Sequence, residues 1–237
     1  MARQYEKILL VEGAEDQRVI PELVEANGIQ WGEEKKDWIV EIKSMDGVEN
    51  LLNKEEINVQ LKASGLKIMG IIVDADDKPA HRWQSIRNCL LERYPDIPEE
   101  LPATGLIHHG EIKIGVWMMP DNQKRGMLET FLEFLLPDNS EALWELAGKT
   151  CEQAAVNGAR FKEAHTDKAK IHTWLAWQNP PGRQMHDAVK QRIFSPTSPQ
   201  AAVFKQWFQD LFEVTVTLKK DGETAKRRMR EPKRCSL

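Results

Sequence analysis

Two short apolar runs constrain the fold of this chain more than any other feature. KILLV at 7–11 ends in Glu12-Gly13, and KIMGIIV at 67–73 ends in Asp74-Ala75-Asp76-Asp77. Continuous apolar runs of this length, bounded by polar residues, predict strands buried on both faces, as in a parallel sheet. Between them, residues 14–26 place Val19, Leu23 and Val24 at helical spacing and stop at Asn27-Gly28. Trp38, Val40 and Ile42 alternate with Ile39, Glu41 and Lys43, predicting a further strand. Residues 47–63 carry Val48, Leu51, Leu52, Ile57 and Leu61 for one or two helices, and another helix is expected over 79–93. The pattern is therefore β-α-β-α-β-α, an α/β parallel sheet with helices on both faces.

Beyond it, 105–109 and 113–119 predict two strands joined by a tight turn near Gly110-Glu111, an antiparallel addition to the sheet. Helices are expected at 127–136, 140–155, 166–177, 184–192 and 200–211, with 180–182 and 195–199 as connectors. The organisation is an α/β core over 1–136, a helical C-terminal half packed on it over 137–212, and a basic tail over 213–237. No clean linker interrupts it. Trp174, Trp177, Phe204, Trp207 and Phe208 sit at helical spacings and are expected to pack the C-terminal helices, with base stacking by one of them as the alternative.

Charge divides the chain. Of 237 residues, 33 are basic and 37 acidic, a net of −4. From Lys219 onward eight basic residues face three acidic ones, so the tail carries +5 and the body −9. The tail reads either as a solvated end or as a contact for phosphates through Lys226, Arg227, Arg228 and Arg230. Three cysteines, Cys89, Cys151 and Cys235, form no CxxC pair, which argues against a zinc knuckle or a disulfide framework. No apolar stretch approaches the roughly 18 residues of a membrane span, and the opening residues read as a strand rather than a signal peptide. The expected compartment is the cytoplasm.

Parallel sheets gather functional side chains beyond the carboxyl ends of their strands. Glu12 follows the first strand, Asp74 and Asp76 follow the third, and Asp16 sits in the first turn of the intervening helix. Asp74 and Asp76, two residues apart at a turning backbone, can point to one side. Four carboxylates this close repel unless a hard cation neutralises them, and oxygen donors suit Mg²⁺ or Mn²⁺. Each has a plain alternative: Asp16 as an acid favoured by the helix dipole, Glu12 as a solvated loop residue. A lone DxD after a strand also occurs in response-regulator-like and phosphatase-like sheets.

The order ILLVEGAED at 8–16 and IIVDADD at 71–77 resembles the Toprim domain of topoisomerases, bacterial primases, OLD-type nucleases and small stand-alone proteins. GVWMMPDNQKRGMLETFL at 115–132 and KAKIHTWLAWQNPPG at 168–182 are similar to stretches of the stand-alone members. The resemblance implies a Toprim-like sheet in which Glu12, Asp74 and Asp76 hold Mg²⁺. The LVEGxxD form, which adds Asp16, looks most like the OLD type. Lys168 matches a late lysine of those nucleases, with Lys170 the other candidate cation and a solvated helix face the plain alternative for either. The shared motif also brings in Glu129 as a further metal ligand and Asp121 as an outer residue, beside Asp77. Only Tyr5 and Tyr94 are tyrosines, neither placed like a topoisomerase nucleophile, and a primase's zinc module is missing.

The implied activity is Mg²⁺-dependent phosphodiester cleavage of DNA or RNA, in phage defence or DNA repair. OLD-type relatives often act with an ATPase. No GxxxxGK[ST] loop occurs here, so such an ATPase would be a separate partner chain. Two other readings stand: a non-catalytic Toprim-like module that binds nucleic acid or a partner, and a phosphotransfer enzyme with Asp74 as nucleophile.

Overall fold

The computed structural model describes residues 5–196 and 198–216. Five strands form one sheet in the order β2-β1-β3-β5-β4. These are β1 (Lys7–Val11), β2 (Glu41–Ser44), β3 (Ile68–Asp74), β4 (Leu106–His108) and β5 (Lys113–Met119). β2, β1, β3 and β5 run parallel, and β4 pairs antiparallel with β5 at the edge. The fold is thus α/β, with a mostly parallel sheet and a helical C-terminal half.

β2 starts later than the alternation of Trp38, Val40 and Ile42 predicts. Lys35–Asp37 closes one turn of 3-10 helix, and the Ile39 N–H donates back to the Trp31 carbonyl at 3.0 Å. Those backbone groups are engaged locally, so pairing with β1 begins only at Glu41.

The period of two along each strand sorts the core into two faces. Ile8, Leu10, Met69, Ile71, Val73, Ile114, Val116 and Met118 point to one side. There they meet α2 (Val48–Leu51), α3 (Lys54–Leu61) and α4 (Pro79–Leu90), whose Ile57, Leu61, Trp83, Ile86 and Leu90 are buried. Leu9, Val11, Ile68, Ile72, Trp117 and Met119 point to the other. That face is covered by α1 (Ala14–Ala26), by α5 (Leu128–Glu133) and by the C-terminal half: α6 (Glu141–Val156), α7 (Thr166–Ala176), α8 (Met185–Lys190) and α9 (Pro199–Phe212).

α9 lies close because Gly70 of β3 and Gly115 of β5 leave room for it. A Cβ at Gly70 would stand 2.7 Å from Phe212 Cζ, and one at Gly115 would stand 2.5 Å from Leu211 Cδ2. Phe204, Trp207 and Phe208 are buried, as the helical spacing predicts, and so are Leu211 and Phe212; Trp174 is too, whereas Trp177 is 40% exposed.

Candidate metal centre

The strand registers bring the acidic residues to one edge. Val11 pairs with Ile72, and Asp74 pairs with Met119, so Glu12 and Asp74 leave neighbouring strands within about one residue of each other. Gly13 then caps α1 in extended backbone, and its N–H donates to Asp16 Oδ2 at 3.0 Å. Asp16 therefore does what its helix-start position predicts, and it is also only 7% exposed and within electrostatic reach of Glu12 and Glu129.

The second half of the cluster comes from the loop after β5. Asn122, 2% exposed, accepts from the Met118 N–H at 2.8 Å and donates to the Ala103 carbonyl at 3.1 Å, pinning that loop. Gly126 exchanges backbone hydrogen bonds with Asp76, both 2.9 Å. With φ at +134°, Gly126 holds a conformation L residues rarely adopt, and a Cβ there would meet Thr130 Oγ1 at 2.5 Å. The Leu128 N–H donates to Asp74 Oδ1 at 3.0 Å, so the start of α5 sits directly on the DxD carboxylate. Glu129, next in sequence, is 4% exposed and pairs with Lys168 Nζ at 3.1 Å. A second tie runs from the Thr130 hydroxyl to Asp167 Oδ2 at 2.6 Å, fixing α7 against α5 beside that pair.

The electrostatics are those of crowded acids. Burial raises the Asp16 carboxyl to about 7, against the Gly13 hydrogen bond, and Glu12 and Glu129 add to the rise. Asp74 is held well above the usual carboxylate range by burial first, then by Asp16, Glu12, Glu129 and Asp76. Glu12 is raised by burial and by Asp76, with Arg82 acting the other way. Burial alone would lower the Lys168 ammonium, but Glu129 beside it, with Glu15 and Asp74 further off, holds it above the usual lysine range.

The other candidate residues make contacts of their own. Asp76 adopts a left-handed backbone, φ +50°, and its carboxylate pairs with Arg82 while acting electrostatically on Glu12 and Asp74. Lys170 does not reach the cluster, since its ammonium lies 4.1 Å over the Trp144 ring and 3.8 Å from Glu133. Asp121 serves its own turn, accepting from the Gln123 and Lys124 N–H groups at 3.2 and 2.8 Å. Asp77 is 75% exposed beside Arg125. Lys226, Arg227, Arg228 and Arg230 lie outside the described residues.

Arg82 and the Thr130–Asp167 tie are functional candidates that no sequence motif singles out. The one local signal for Arg82 is its position in the first turns of the helix that follows the DxD.

A hard divalent cation is the group such acids suggest. Among the described residues, no three His, Cys, Asp or Glu side chains form a ready-made metal cage. The donor set nonetheless fits in chemistry, being all carboxylate oxygen, which Mg²⁺ and Mn²⁺ prefer. Glu12 Oε2 is buried with no hydrogen-bond partner, and such an orphaned atom is costly unless a ligand satisfies it. Asp16, Glu12, Glu129 and Asp76 together raise the proton affinity of Asp74, and a cation would relieve that repulsion.

The fold and site together define an α/β protein whose parallel sheet carries a buried carboxylate cluster at its carboxyl edge. The family described as "Protein of unknown function (DUF3226)" matches residues 6–213, and the chain belongs to it. Neither curated proteins nor solved structures give a match. No described helix is long and apolar enough to cross a membrane.

Proposed function

We propose that this chain is a Toprim-like nuclease that cleaves phosphodiester bonds with Mg²⁺ or Mn²⁺. The observation that carries the reading is the convergence of Glu12, Asp16, Asp74 and Glu129 at the sheet's carboxyl edge, with an unsatisfied Glu12 oxygen and the Lys168 ammonium beside them. Glu12 and Asp74 would hold the cation, joined by Asp76 and Glu129 once these leave Arg82 and Lys168. A divalent ion bound there supplies Lewis acidity towards a phosphodiester and a water nucleophile. Lys168, released from Glu129, offers its charge to the oxygens that gain negative charge as phosphorus becomes five-coordinate. Asp16, poised near neutral pH, can hold or give up a proton beside the reacting groups. The expected substrate is DNA or RNA, with a separate ATPase chain as a proposed partner and phage defence or DNA repair as the setting.

The test is cleavage of labelled DNA and RNA by purified protein with Mg²⁺ or Mn²⁺. Glu12→Gln and Asp74→Asn should each abolish it while leaving the circular dichroism unchanged. Undiminished cleavage by both variants sinks the assignment. Nucleic-acid binding without cleavage or Mg²⁺-dependent stabilisation would instead make the chain a binding module. A covalent phosphoryl group on Asp74, formed without need of Glu12, would make it a phosphotransfer enzyme.

A further inference from the structure

Beside the acids, a cavity of about 310 Å³ opens between the end of β3 and α4, lined by Asp76, Asp77, Lys78, His81, Arg82 and Ser85. Lys78 and Arg82 bring positive charge to it. Arg82 is enclosed: its side chain is 15% exposed, and its Nε is buried without a hydrogen-bond partner. Its guanidinium pairs with the Asp76 carboxylate, which is 48% exposed. The Asp76 backbone is clamped to Gly126 by two hydrogen bonds, so the carboxylate can turn while the chain stays in place. Both Asp76 and Arg82 act electrostatically on Glu12, so both lie within reach of the cluster.

We infer that Asp76 and Arg82 form an exchangeable pair, in which Asp76 turns to a cation at the cluster and Arg82, with Lys78, takes a backbone phosphate of a nucleic-acid strand. This rests on the nuclease reading above. The reason for coupling is cost. A guanidinium this enclosed cannot be left without an anion, because an uncompensated buried charge is strongly destabilising. Asp76 therefore leaves readily only when another anion arrives. A phosphodiester suits that place: it is anionic, guanidinium binds it through two N–H groups, and Lys78, His81 and Ser85 line the same cavity. Metal and strand should then each strengthen the other's binding, reciprocally.

The experiment measures Mn²⁺ binding by calorimetry with and without a short single-stranded DNA oligonucleotide. Oligonucleotide binding is followed by fluorescence anisotropy in Ca²⁺. In the wild type the oligonucleotide should tighten Mn²⁺ about 5- to 50-fold. Arg82→Gln should bind Mn²⁺ more tightly than wild type without oligonucleotide, bind oligonucleotide more weakly, and lose the coupling. Mn²⁺ binding by Arg82→Gln that is unchanged or weaker overturns the inference alone. Absence of Mn²⁺ binding in the wild type overturns the metal reading and the inference with it. Lys78→Gln, an exposed change that should not disturb folding, should weaken oligonucleotide binding and leave Mn²⁺ affinity without oligonucleotide as it was. Unchanged oligonucleotide binding by this variant removes the phosphate site.

Discussion

Asp16 is raised to about 7 because burial disfavours its charge and Glu12 and Glu129 stand close. Its ordinary value is 3.8, so the native state holds more protons than the unfolded state between about pH 4 and 7. Stability from this group is full at low pH and is lost as pH rises through about 7, and the raised Glu12 and Asp74 act in the same direction. In EDTA, the urea midpoint should therefore fall from about pH 5 to about pH 8, and Mg²⁺ should restore it at the higher pH. Asp16→Asn should flatten that dependence and stabilise the metal-free protein at about pH 8 by on the order of 2 kcal/mol. A midpoint that rises over the same interval would contradict the burial of these acids. The exposed Glu92, Asp96 and Glu213 are shifted downward by Lys54, His108 and Lys113, the opposite direction to the buried acids.

At the scale of elements, two contacts govern how the helices meet the sheet. α5 is set on Asp74 by Gly126, whose φ and closeness to Thr130 leave no room for a side chain. Gly126→Ala should move the start of α5, weaken Mn²⁺ binding several-fold, and lower stability by about 1–3 kcal/mol. α9 depends on Gly70 and Gly115 in a different way. Gly70→Ala drives a methyl into Phe212 and Leu9, an overpacking expected to cost about 1–3 kcal/mol. Because that packing is remote from the acids, Mn²⁺ affinity should be unchanged. Calorimetry on both variants checks the contrast, and a fall in Mn²⁺ affinity in Gly70→Ala would show that α9 packing reaches the site.

The whole molecule shares a single hydrophobic layer between its halves: Leu9 and Val11 of β1 belong to the same cluster as Trp174, Phe204 and Phe212. Fluorescence of the buried tryptophans and far-UV circular dichroism should therefore report one coincident urea transition. Two separate transitions would make the C-terminal helices an independent unit. The charge division also belongs to this scale. Replacing Lys226, Arg227, Arg228 and Arg230 by Ala should weaken nucleic-acid binding alike for all sequences and reduce the salt slope by about 1 for each phosphate no longer neutralised. An unchanged slope would leave the tail as a solvated end.

The strands β1 and β5, helix α1 and the α/β class are legible from the residues, because apolar runs and helical periodicity are local signals. Glu12, Asp16 and Asp74 are legible as a cluster because strand ends in a parallel sheet share an edge whatever the details. The start of β2 is not, because alternation does not reveal which backbone groups a 3-10 turn has already engaged. The direction of Asp76 is hidden for a related reason: its left-handed backbone goes with the bridge to Gly126, a residue on the far side of α4, β4 and β5 in the chain. The partnerships of Lys168 with Glu129, of Asp167 with Thr130, and of Leu128 with Asp74 are likewise decided by packing. Sequence by itself determined which residue types stand at the carboxyl edge, since the ends of the apolar runs are local signals and strand ends of a parallel sheet share an edge. Only tertiary structure decided which carboxylate is orphaned, which is paired and which is clamped, since those depend on distances between segments remote in the chain.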